Sequence, residues 1–95
     1  MKFSFHPEAR SELIHAVNFY ESRQRKLGLE FLQEVFSAIH RIIEFPNAYP
    51  NLSAITRKCL VNRFPFCVIY RYKNDEVFIA AIAHLARKPG YWKER

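Results

Sequence analysis

Between Pro7 and Pro46 the apolar residues of this chain recur at helical spacing, and from Ile55 onward they alternate as strands do. Such a change of period demands a helical layer and a sheet that cover one another, because an amphipathic helix must bury its stripe. Ninety-five residues supply one core rather than two. The 49% hydrophobic content and two glycines exclude a disordered segment.

Met1 to His6 alternates, Phe3 and Phe5 on one side and Lys2, Ser4 and His6 on the other, which predicts a short half-buried strand ended by Pro7. Pro7, Glu8 and Glu12 suit the opening of a helix running to about Ser22, whose stripe is Ala9, Leu13, Ala16, Val17 and Tyr20. The polar run Arg23-Gln24-Arg25-Lys26 and then Gly28 break the pattern. A second helix is predicted from near Leu29, with Phe31, Leu32, Val35, Phe36, Ile39, Ile42 and Ile43 on its apolar face, stopping at Pro46. Three strands follow, at Arg57–Val61, Cys67–Tyr72 and Val77–Ala83, separated by a bend at Arg63-Phe64-Pro65-Phe66 and a turn at Lys73-Asn74-Asp75-Glu76. The expected fold is α+β, in the order β-α-α-β-β-β: an N-terminal strand and a two-helix hairpin packed on a C-terminal antiparallel meander, all in one domain over residues 1–95.

Charge is distributed unevenly. Residues 1–56 hold six basic and six acidic groups, whereas residues 57–95 hold nine basic and three acidic, the source of the net +6. The C-terminal half is therefore suited to an anionic partner. His84, Arg87, Lys88, Tyr91 and Trp92 follow the last strand as a cationic cluster with rings that could stack on bases. The competing reading is a solvated tail with Tyr91 and Trp92 tucked against the helices. Arg57, Lys58, Arg63 and Arg71 lie on or beside the preceding strands, and alternation puts Arg57 with Cys59 on one face and Lys58 with Leu60 on the other. Edge-strand cations that oppose aggregation are the competing reading for these four.

Several classes find no support. The chain has no Gly-rich phosphate loop, no GxSxG, and four histidines scattered without ligand spacing, so no metal and no cofactor is expected. Cys59 and Cys67 read as core residues of a chain kept in a reducing cytoplasm. The start lacks the apolar stretch of a signal peptide, and no run approaches the roughly 18 residues of a membrane span.

One ordered set of residues covers nearly the whole chain. It comprises Pro7-Glu8-Ala9 with Leu13, Ala16 and Phe19-Tyr20-Glu21, then Leu27-Gly28 with Phe31, and Pro46 with Tyr49-Pro50. Arg63-Phe64-Pro65-Phe66 with Ile69-Tyr70, and His84 with Arg87, Pro89 and Tyr91-Trp92, complete it. The set resembles the RelE/ParE superfamily of toxins from type II toxin–antitoxin systems, and is closer to the ParE-like branch. The resemblance implies a helical hairpin on a sheet, a cognate antitoxin as partner and DNA gyrase as target; the charge pattern makes Arg57, Arg63, Arg71, His84, Arg87, Lys88, Tyr91 and Trp92 the expected target-binding residues.

The RelE-like alternative is a metal-independent endoribonuclease acting on the ribosome and its mRNA, for which Lys58, Arg63, His84, Arg87 and Tyr91 would form the catalytic set. Cys67 stands where that branch usually carries a basic residue after the turn aromatic. A third possibility is a non-toxic nucleic-acid-binding module. For a toxin, the expected antitoxin segment is acidic and amphipathic. Removal of the tail after Lys88 is expected to abolish toxicity and leave folding largely intact.

Overall fold

The computed structural model describes residues 2–95. Its elements are β1 (Lys2–Phe5), α1 (Pro7–Arg23), α2 (Leu27–Glu44), β2 (Arg57–Leu60), β3 (Phe66–Lys73) and β4 (Glu76–His84). The order is the expected one; Met1, placed by expectation in the first strand, lies outside the described residues. His6 caps α1 with its ring, Nδ1 accepting from the Glu8 amide at 3.0 Å, and Pro7 occupies the first turn.

The second helix begins two residues earlier than expected, at Leu27, and includes Gly28. The glycine does not break the helix there. A Cβ at that position would stand 2.5 Å from the carbonyl oxygen of Val17 on α1, so the missing side chain is what lets the two helices touch. Lys26, at φ 72°, offers no side-chain cap to α2. Glu21 of α1 fills that role across the hairpin, accepting from the Lys26 amide at 3.0 Å and the Gly28 amide at 3.1 Å.

The strands form one sheet in the order β1-β4-β3-β2. The three C-terminal strands make the expected antiparallel meander, whereas β1 joins it parallel to β4, pairing Lys2 with Glu76 through Phe5 with Ile79. The sheet is therefore mixed. Two antiparallel helices and the 45–56 connector return the chain from the end of β1 to the start of β2, so β1 and β2 run the same way and β4, two strands from β2, runs with them. A bulge between Ile69 and Tyr70 lets one extra residue into β4.

Both faces of this sheet are covered. Val68, Tyr70, Val77, Ile79, Ile82 and Cys59 meet Ala9, Leu13, Phe31, Val35 and Ile39 of the helices, and Phe31 packs edge-on against Phe64 and Phe66. On the outer face Cys67, Ile69, Ala80, Ala81 and Ala83 form a second, smaller cluster closed by Trp92. Trp92 thus packs on the side of the sheet away from the helices. Small residues on β4 explain the choice, since three alanines leave a trough that one large ring can fill. Cys59 and Cys67 are buried and free in the two different clusters. No helix among the described residues is long and apolar enough to cross a membrane.

Candidate functional site

β1 is short. Its last partner on β4 is Ile79, so beyond that point β4 has a bare edge whose backbone groups need other partners. Glu12 of α1 reaches that edge and accepts the Ile82 amide on Oε1 at 3.0 Å. Arg95 donates Nη1 to the Ala80 carbonyl at 3.0 Å and grips both oxygens of Glu12, at 2.9 and 3.0 Å. Arg87 adds Nη1 to Oε2 at 3.2 Å. Glu12 and Arg95 are 14% and 11% exposed at the side chain, and charges this well covered persist only when paired.

Tyr91 completes the knot. The Arg87 guanidinium lies 3.5 Å over its ring and that of Arg95 5.0 Å away, while Trp92 meets it edge-on. The Tyr91 hydroxyl is buried without a hydrogen-bond partner among the described residues. Burial, reinforced by the negative charge of Glu12, pushes its pKa up to about 12.

A cleft of about 530 Å³ opens between α1 and this edge, lined by His15, Phe19, His84, Arg87, Arg95 and Glu12 among others. His84 is exposed, its Nδ1 accepting from the Ala86 amide at 3.0 Å and its ring 5.0 Å from that of Phe66.

The other sequence-derived candidates lie elsewhere. Arg57 is on the helix side with Cys59, as alternation predicts, and donates to the carbonyls of Asn47 and Tyr49 at 3.1 and 2.7 Å. It ties down the connector. Arg63, at φ 70° in the bend, leans onto α2 and pairs with Glu30 at 2.7 Å and Glu34 at 3.8 Å. Arg71 lies over the Phe78 ring at 4.5 Å on the outer face, which Lys58 shares. Trp92, only 9% exposed, belongs to a core cluster and is not available as a stacking platform.

The nine C-terminal cations therefore divide. Arg63, Arg87 and Arg95 are neutralised by glutamates of the helices. Arg57, Lys58, Arg71, Lys73, Lys88 and Lys93 have no carboxylate partner among the described residues. The unneutralised charge thus belongs to the strands and the C-terminal turn. Among the described residues, no three His, Cys, Asp or Glu side chains converge to hold a metal ion.

Sequence reasoning missed Glu12, reading it only as an early carboxylate that suits the opening of the helix. A signal was present: Ala9, Glu12 and Ala16 share a face at i, i+3 and i+7, so an acid stands within the buried stripe between two residues too small to shield it.

Neither a family model nor a curated protein matches the chain. Among solved structures, a chain of the "Chromosomal ParDE TA system from P. aeruginosa" superposes with a TM-score of 0.78 over 90% of this chain and 96% of that one. The sequences are 19% identical, so the likeness is one of fold. The architecture implied by the residue resemblance is the one observed.

Proposed function

We propose that this chain is the toxin of a type II toxin–antitoxin system, a cytoplasmic growth inhibitor that acts on DNA gyrase and is held inactive by a cognate antitoxin. The fold likeness, over 90% of this chain and 96% of the other, supports the reading together with the residue resemblance. The gyrase target is favoured over the ribosome by the state of the would-be nuclease residues. Arg63 is turned onto α2 and Arg87 onto Glu12, and Tyr91, its hydroxyl covered and its pKa near 12, is poorly placed to take or give a proton at neutral pH. What favours the nuclease is the cleft that His84 shares with Arg87 and His15.

The deciding experiment sets the purified chain against both targets. Gyrase supercoiling is expected to stop while mRNA on translating ribosomes stays intact. Site-specific transcript cleavage with supercoiling unaffected would exchange the two readings. Unchanged growth on induction, with salt-steep binding to DNA or RNA, would replace both with the non-toxic binding module.

The antitoxin is assigned to the hairpin. Ile14, Phe19 and Leu29 stand exposed on the helices, separate apolar anchors for an amphipathic segment, and the unpaired cations supply long-range attraction for acidic residues. Complex formation is expected to slow as ionic strength rises, whereas Leu29→Ala or Ile14→Ala should mainly speed dissociation. Stopped-flow and surface-binding kinetics separate the two rates. An association rate indifferent to salt would remove the acidic segment from this picture.

A further inference from the structure

We propose that Glu12 is a positioning residue: it latches residues 85–95 across the outer face of the sheet and so fixes the orientation in which the C-terminal cations meet the target. The second half of this statement rests on the toxin reading; the first does not. Among the described residues no other carboxylate is ion-paired or hydrogen-bonded to the C-terminal segment, and Glu12 serves three partners there and on β4 at once, Arg87, Arg95 and the Ile82 amide. Its partners lie 70 to 83 residues away in sequence, so the contact set exists only in the folded chain.

Geometry separates the latch from the main core. The helix-side cluster, with Phe31, Ile39, Val68 and Tyr70, contains no residue beyond Ile82 among its buried members. The outer cluster depends on Trp92 for its cover, and Trp92 is held between Tyr91 and the turn that ends in Arg95, where the Arg95 amide bonds the Trp92 carbonyl at 3.0 Å. Opening the latch therefore uncovers Cys67, Ile69 and the alanines of β4 while the helices stay seated. Local opening of this kind is common where one segment carries few contacts of its own. Arg87, half-exposed at 52%, is the member of the knot that can present charge outward, and its orientation is set by Glu12 below and the Tyr91 ring beside it.

The two cysteines report on the latch, one under each cover. Alkylation of the purified chain by N-ethylmaleimide, followed site by site by mass spectrometry, should be slow at both in the parent, where each thiol is buried. In Glu12→Gln, Cys67 is expected to react about tenfold faster, the effect of losing one charge-assisted bond from the set, with Cys59 unchanged. Equal acceleration at both cysteines would mean that Glu12 serves the whole fold, and no acceleration at either that the segment is held by Trp92 alone; each overturns the proposal.

Should Glu12→Gln fail to fold, Arg95→Gln leaves Glu12 its bonds to Ile82 and Arg87 and is expected to give the same difference between the cysteines. Growth inhibition provides the second arm. Its loss in a folded Glu12→Gln chain with Cys67 exposed supports the positioning role; full potency in that chain overturns it. A parent that never inhibits growth, yet shows the thiol difference, keeps the latch and refutes the toxin reading.

Discussion

Replacing Trp92 by alanine is expected to lower the unfolding free energy by about 3 kcal/mol, the lower end for deleting a large core ring. In a domain of 95 residues that corresponds to a fall in Tm of roughly 15 °C, measurable by calorimetry. The ring is 9% exposed and closes a cluster whose other members are a cysteine, an isoleucine and three alanines, none able to move into its place.

A chain ending at Lys88 should lose more, since it also strips Glu12 of its bidentate partner and leaves the Ala80 carbonyl unpaired. The expectation from sequence that such a truncation spares the fold is thereby corrected: the tail looks like a charge run, but its aromatic and terminal arginine are structural. Loss of toxicity on truncation would then report unfolding as much as lost target contact. Arg87→Ala is the cleaner test of contact, because Arg95 remains to hold Glu12. A Trp92→Ala chain with unchanged Tm would show that the outer cluster contributes nothing to the cooperative unit.

The helices and the meander were legible because their signals are local. Five apolar positions from Ala9 to Tyr20 recur at helical spacing, and Cys67–Tyr72 is a run of β-branched and aromatic residues with a polar turn after it. The parallel seat of β1 was not legible. A strand of four residues carries no sign of its direction, and its partner lies some seventy residues on, at Glu76–Ile79.

The same distance hid the fate of the charges. Counting cations in residues 57–95 gave the surplus, but not that Arg63 meets a glutamate 33 residues back and Arg87 one 75 residues back. Two of the residues chosen for chemistry are thus neutralised, a third is tied to the connector and a fourth is core. Composition limits what a surface can do; which side chains are left to do it depends on contacts that only the folded chain makes.

Gly28→Ala is expected to destabilise the protein by about 2 kcal/mol, against the roughly 1 kcal/mol gain that helix propensity alone assigns to the change. The new methyl would lie 2.5 Å from the Val17 carbonyl oxygen and 3.0 Å from the Glu21 Cβ. The nearer neighbour is helix backbone, which cannot step aside as a flexible side chain would, so the helices must part or tilt. Parting them also pulls Glu21 from the Lys26 and Gly28 amides, removing the side-chain cap it gives α2, a loss of about 1 kcal/mol in comparable helices.

Urea titration should therefore show a lower midpoint with an unchanged slope, because the surface exposed on unfolding is nearly the same. If the hairpin is the antitoxin's seat, the same substitution displaces the surface carrying Leu29 and Ile14, and dissociation of the complex should quicken even where the toxin stays folded. A midpoint raised by the substitution would mean that the two helices yield at Gly28 without cost, and that their close approach there does not fix the geometry of the hairpin.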